Sequence, residues 1–255
     1  HTHATNRVVI PVETAHTALV LQTDSVQRLL ITYFGAKLRN ESEYVLADSQ
    51  MNQKDANAGI FNHAYTPSGT WCLIEPALQI THADGNLSTE LNYVSHKIEK
   101  INDNVQIISV LLKDFVYNTE ITLYYKTYYE EDVIEQWSSI KNRENGTITL
   151  NKYASANLNF VARNYYLTHF NGAWGREMKP EQTMLTHGIK VLDSKLGTRA
   201  DLFQHPVFML SFDQPASEDE GEVLLGTLAW SGNFKMEFEV DAYHNLRLIA
   251  GINPY

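Results

Sequence analysis

Hydrophobic and polar residues alternate with a period of two wherever a period can be read. Phe234, Met236, Phe238 and Val240 alternate with Lys235, Glu237, Glu239 and Asp241, the pattern of a strand with one buried and one wet face. Ile121, Leu123, Tyr125, Thr127 and Tyr129 form a second alternating set, rich in the aromatic and β-branched types that fit a pleated surface. Further short strands are predicted at Leu29–Phe34, Gln106–Leu112, Val133–Ile140, Thr147–Tyr153, Val207–Phe212, Glu222–Trp230 and Leu246–Ile249. Helical periodicity is scarce.

Asp84-Gly85 and Asn145-Gly146 supply the positive φ angles of tight turns and predict two hairpins. Many short strands at close spacing, without alternating helices, predict an all-β fold of two packed antiparallel sheets, a β-sandwich. The stretch Glu41–Gly69 lacks a period and carries Asn, Gln, Asp and Gly, so it reads as a long loop or lid-like excursion. With no internal repeat and no Pro/Ser-rich linker, residues 1–255 read as a single domain.

Composition narrows the partners. Apolar residues make up 44% of the chain and charged residues 20%, enough to bury a core. The formal charge of -10, with no Lys/Arg cluster, removes the attraction on which non-specific nucleic-acid or anionic-membrane binding depends, so neither partner is expected. No apolar run approaches the roughly 20 residues of a membrane-spanning helix. A start at His1-Thr2-His3 without methionine suits a processed periplasmic or secreted protein, with a cytoplasmic one as the alternative.

Candidate chemistry is sparse. Cys72 is the single cysteine, so neither an internal disulfide framework nor a paired-thiolate zinc site is expected. The ten histidines are scattered without a His-Glu-x-x-His motif, and no metal or cofactor is expected. The acidic runs Glu130-Glu131-Asp132 and Glu218-Asp219-Glu220 read as solvated turns. Tryptophan and tyrosine rings stack on the apolar face of a sugar, which makes the four tryptophans the remaining signal. Trp137 shares a strand face with Val133 and reads as packing. Trp174 and Arg176 lie in a loop shaped by Gly172 and Gly175, Trp230 heads a turn before Gly232, and Trp71 follows Pro67-Ser68-Gly69. Trp71, Trp174, Arg176 and Trp230 are the candidate pocket-wall residues.

The strings Phe34-Gly35-Ala36-Lys37, Glu75-Pro76-Ala77-Leu78, Tyr93-Val94-Ser95-His96, Tyr129 to Glu135, Gly188 to Ser194 and Ala250 to Pro254 resemble, in order, the N-terminal domain of glycoside hydrolase family 36 α-galactosidases. The resemblance implies a β-sandwich of the galactose-mutarotase-like (supersandwich) kind. In the intact enzyme a catalytic (β/α)8 barrel, expected downstream, would act on terminal α-linked galactose by retaining hydrolysis with two aspartates. The barrel motifs that carry them, a Lys-Trp-Asp string and a Gly-rich stretch ending in Arg and Asp, do not occur in this sequence, so the resemblance carries over no catalytic residue. Many family members have Asp-Phe-Arg before Glu-Pro-Ala-Leu, where this chain has Cys72-Leu73-Ile74, so no arginine contact is carried over either.

The resemblance thus implies an accessory domain that packs on the barrel, meets galactoside through it, and takes part in a homo-oligomer. Two alternatives stand beside it. A free-standing carbohydrate-binding module would need an exposed row of aromatics on one sheet face. An aldose 1-epimerase-like enzyme would need His169 or His205 beside a carboxylate in a cleft.

Overall fold

The computed structural model describes residues 7–46, 59–69, 72–200 and 202–255. Strands dominate these residues, and the helical pieces among them are two short 3-10 turns at Glu41–Leu46 and Gly197–Arg199. The chain divides into two compact units, His1–Leu158 and Asn159–Tyr255.

In the first unit, β1 (Val9–Glu13), β2 (Thr17–Thr23) and β3 (Leu29–Ala36) form an antiparallel meander. A short β4 (Leu78–Thr81) precedes a four-stranded antiparallel meander of β5 (Asn92–Lys100), β6 (Val105–Lys113), β7 (Glu120–Tyr128) and β8 (Val133–Lys141). β9 (Thr149–Tyr153) returns to pair with β4. Along β7 the predicted alternation holds: Ile121, Leu123, Tyr125 and Thr127 are buried, with Tyr129 exposed beyond the strand end. β5 is an edge strand whose residues from Ser95 to Lys100 are all exposed.

In the second unit, β10 (Ala156–Val161), which starts just before the division, is followed by β11 (Tyr165–Asn171), β12 (Lys179–Met184), β13 (Gly188–Ser194), β14 (Gln204–Phe212), β15 (Leu224–Thr227), β16 (Phe234–Val240) and β17 (Asn245–Ile252). They assemble into two four-stranded sheets, ordered β10-β17-β16-β13 and β12-β11-β14-β15. Phe208 on β14 meets Phe238 on β16 edge to face at 5.2 Å, which places the two sheets face to face with aromatic rings between them.

The all-β, antiparallel architecture is the one predicted, with several local differences. On β16 the predicted apolar face is buried, yet its other face is only partly wet: Lys235 and Glu239 are half-buried and Glu237 is 4% exposed. Of the stretch read as a periodless excursion, residues 47–58 lie outside the described residues, and the described part is interior at two places. Tyr44 lies fully buried in the first 3-10 turn, and Ile60 to Thr66 are buried. Their backbone polar groups are met by β3, with Ile31 N–H donating to Asn62 O at 2.8 Å and Ala64 N–H to Leu29 O at 2.9 Å. A chain segment whose main-chain groups are satisfied in this way can be buried without sequence period.

The two glycine turns also differ from expectation. Neither Asp84-Gly85 nor Asn145-Gly146 joins paired strands, because β4 pairs with β9 and β8 with β7. Instead the turns pack on each other. His82 Nδ1 lies 2.7 Å from Glu144 Oε1, and Ala83 N–H donates to Glu144 Oε2 at 3.0 Å. The His82 ring stacks on Tyr117 at 3.7 Å.

Candidate functional site

The strongest collection of exposed aromatic side chains is set by strand register in the second unit. In the sheet β12-β11-β14-β15, Asn171 at the end of β11 faces Lys179 at the start of β12 and Gln204 at the start of β14. At the same end, Val207 of β14 faces Thr227 at the end of β15, and Leu228 N–H donates to Pro206 O at 3.1 Å. The hairpin carrying Trp174, the segment entering β14 and the segment leaving β15 toward Trp230 therefore all emerge at one end of one sheet.

The hairpin is tightly built. Ala173 and Arg176 exchange backbone hydrogen bonds at 2.8 and 3.2 Å, Gly175 has φ +72°, and Glu177 Oε1 accepts from Gly175 N–H at 3.0 Å. The Trp174 side chain is thus displaced outward, 92% exposed, with Arg176 exposed beside it in sequence. At the hairpin base, Gly172 N–H donates to Phe203 O at 2.8 Å. A Cβ at Gly172 would sit 3.2 Å from Leu202 O and 3.3 Å from both Glu177 Cα and His205 Nε2, so the close approach favours glycine.

Trp230 is half-exposed, and its indole folds over its own turn, with Nε1 donating to Asn233 O at 3.0 Å. The structure brings Trp174, Arg176 and Trp230 to the same sheet end, while Trp71 lies outside the described residues. Phe203, which the sequence reading passed over, joins this rim at 55% exposure. It lies just outside β14, where no alternation marks it. An exposed indole held on a rigid turn has the two properties that sugar stacking requires, an open face and a small entropy cost on binding.

Trp137 does share a face with Val133, but that face is turned outward: it is 36% exposed and stacks on Tyr124 at 5.0 Å with the rings 7° apart. His169 is buried at the centre of β11, with Glu181 Oε2 3.9 Å from its Nε2, beyond hydrogen-bond reach. Burial, and then the charge of Lys190, hold its imidazole below its usual pKa against the opposing pull of Glu181. This is a buried neutral side chain, not an acid poised in a cleft. Among the described residues, no group of three His, Cys, Asp or Glu side chains is arranged to hold a metal.

Fold and rim together define an antiparallel β-sandwich module with an aromatic end. The family model for the glycosyl hydrolase family 36 N-terminal domain matches residues 27–255, and the chain belongs to that family. It is 29% identical to the bifunctional alpha-galactosidase/sucrose kinase AgaSK of Mediterraneibacter gnavus over 97% of this chain and 29% of that protein. The solved galactosidase domain of AgaSK superposes with a TM-score of 0.82 at 28% identity, covering 96% of this chain and 38% of that one. The GH36 alpha-galactosidase AgaA of Geobacillus stearothermophilus shares the fold with a TM-score of 0.86 at 24% identity, over 97% of this chain and 37% of that one. The chain spans about a third of the length of these relatives.

Proposed function

We propose that this chain is the accessory N-terminal module of a retaining α-galactosidase that removes terminal α-linked galactose from oligosaccharides. The observation that carries the reading is the family match over residues 27–255 in a chain that spans only 29% of AgaSK. The two carboxylates of the mechanism belong to a catalytic barrel of the same protein, which is the module's first partner. The module contributes packing, oligomer contact and, through the rim of Trp174, Arg176, Phe203 and Trp230, one wall of the sugar approach. A barrel's pocket opens at the C-terminal ends of its strands, where a neighbouring module can complete it. A periplasmic or secreted location goes with this reading.

The test has two arms. The purified chain is expected to release no nitrophenol from an aryl α-galactoside, and robust turnover abolished by changing a carboxylate within these residues would overturn the assignment. In the protein that includes the barrel, Trp174→Ala is expected to lower kcat/KM for an oligosaccharide by about 1–2 kcal/mol in transition-state terms while sparing an aryl galactoside. Equal kinetics on both substrates would remove Trp174 from the pocket wall.

A second reading, a sugar-binding module acting alone, is favoured by the outward Trp137 on β8, 36% exposed and stacked on the half-buried Tyr124. Calorimetric titration of the chain with melibiose, with loss of binding in Trp137→Ala, would support that reading over the first.

A further inference from the structure

Two Asn-Gly pairs occur in the chain, Asn145-Gly146 and Asn171-Gly172. In such a pair the glycine has no Cβ to shield its backbone nitrogen, which can approach the asparagine side chain and close a cyclic imide. The fold decides whether it does. The glycine N–H must be free to lose its proton, and the carboxamide must be free to swing onto the nitrogen. The two pairs differ in both respects.

At Asn171-Gly172 both groups are held. Gly172 N–H donates to Phe203 O at 2.8 Å, and Asn171 Nδ2 donates to Glu181 Oε2 at 2.7 Å. Asn171 ends β11, half-buried, with Lys179 of β12 and Gln204 of β14 facing it on either side. Asp84-Gly85, which could cyclise in the same way with loss of water, is held as firmly. Gly85 N–H donates to His82 O at 2.9 Å, and the Asp84 carboxylate accepts from Asn86 N–H at 2.9 Å and from the Tyr117 hydroxyl at 3.1 Å.

Asn145-Gly146 is open. Both residues are exposed, and among the described residues neither the Asn145 carboxamide nor Gly146 N–H makes a hydrogen bond. The groups around them are fixed nonetheless. Glu144 is held by His82 Nδ1 and Ala83 N–H, and Gly146 O accepts from Asn142 Nδ2 at 2.9 Å. A Cβ at Gly146 would lie 2.9 Å from Ala83 Cβ, so the packing of this turn against residue 83 favours the glycine that also leaves its nitrogen unshielded.

We propose that Asn145 is a site of spontaneous covalent modification, converted to aspartate and isoaspartate with water as the co-reactant. Gly146 N gives its proton to hydroxide and attacks Asn145 Cγ. An N–C bond forms, the bond from Cγ to the side-chain nitrogen breaks, and that nitrogen leaves with the electron pair as ammonia after taking a proton from solvent. Water then opens the cyclic imide at either carbonyl. Nothing is oxidised or reduced. Each product places a new carboxylate next to Glu144, whose side chain is 6% exposed against His82, and like charges side by side repel.

The experiment holds the native chain, and the chain unfolded in guanidinium chloride, at pH 8 for several days. Tryptic peptides are then read by mass spectrometry, with fragmentation assigning the amide-to-acid mass gain to a residue. In the native chain the gain is expected about tenfold faster at Asn145 than at Asn171, because reaction at a hydrogen-bonded pair waits on local opening. In the unfolded chain, where neither pair is held, the two rates are expected to agree within about twofold. No gain at Asn145 in the native chain, or a rate at Asn171 equal to or above it, overturns the proposal. So does an undiminished ratio in guanidinium chloride, which would assign the difference to neighbouring residues and not to the fold.

Discussion

Thr14 and Asp132, 118 positions apart, are joined by a hydrogen bond of 2.7 Å in which the hydroxyl donates to Oδ1. The same carboxylate accepts from His16 N–H at 2.8 Å and meets His16 Nδ1 at 2.6 Å. The turn after β1 is thereby tied to the turn between β7 and β8. These hydrogen bonds, those from His16 first and then that from Thr14, hold the Asp132 carboxyl down to about 2.

An acid limb in stability follows. The folded-state value lies below the roughly 3.9 of an unfolded aspartate. The contribution is therefore complete above about pH 4 and is lost as pH falls toward 2. Asp132 has φ +54°, which asparagine also tolerates. Asp132→Asn should therefore remove this part of the acid limb without backbone strain. Urea melts of the two proteins at pH 5 and pH 3 would compare them, and parallel losses would show that the carboxylate's charge is not responsible.

His169 predicts a second, separate limb. Its pKa is lowered in the fold, so the unfolded chain binds the proton more readily and stability declines as pH drops below about 6.5. Replacing His169 with leucine should flatten the change between pH 7.5 and 5.5. If the variant's melts retain the full pH slope across that interval, other histidines carry it.

Asp241 and Arg247 form a buried ion pair, with Oδ2 and Nη1 2.9 Å apart and side chains 3% and 0% exposed. Burial pushes the Asp241 carboxyl up, but hydrogen bonds from Asn245 and the Arg247 charge outweigh it and leave the pKa lowered. Arg247 Nε and Nη2 make no hydrogen bond among the described residues, so its charge depends on that one carboxylate. Asp241→Asn is expected to cost about 3–5 kcal/mol. Denaturant unfolding at pH 7 measures it, and a loss below about 1 kcal/mol would mean that water reaches the guanidinium.

On β16 two neighbours should behave differently. Phe238→Ala removes a fully buried ring in contact with Phe208 and is expected to cost about 3–5 kcal/mol. Glu237 is buried and ion-paired with Lys235 at 2.6 Å. Its alanine variant should lose more than the roughly 0.5 kcal/mol of an ordinary surface change, though less than Phe238→Ala. Equal small losses in both would point to a shifted register.

The elements legible in the sequence are those whose two faces meet different surroundings. β7 shows its period because one side is buried and the other half-open. β17, predicted as a short strand over Leu246–Ile249, shows no period, because every residue from Asn245 to Gly251 is buried, and a strand enclosed on both faces has no alternation to display. β12, Lys-Pro-Glu-Gln-Thr-Met, is hidden for the opposite reason: nearly all of it is exposed, and it is a strand through its pairing with β11. Pro180 is tolerated there because β12 is an edge. At the rim, Trp174 and Trp230 stood out as residues, but their common placement is a property of register between strands far apart in sequence.

The edge strand β5 bears on behaviour in concentrated solution. Its outer backbone groups are unpaired by any strand of its own sheet, and an exposed strand edge is a template on which further copies can stack into fibrils. Lys97, Glu99 and Lys100 stand along it, with side chains 71%, 53% and 65% exposed, and bringing a second such edge alongside would strip water from all of them. Ile98, half-exposed between them, supplies the stickiness that these charges restrain. Replacing both lysines with threonine would leave the fold's core untouched while turning a guarded border into an adhesive one.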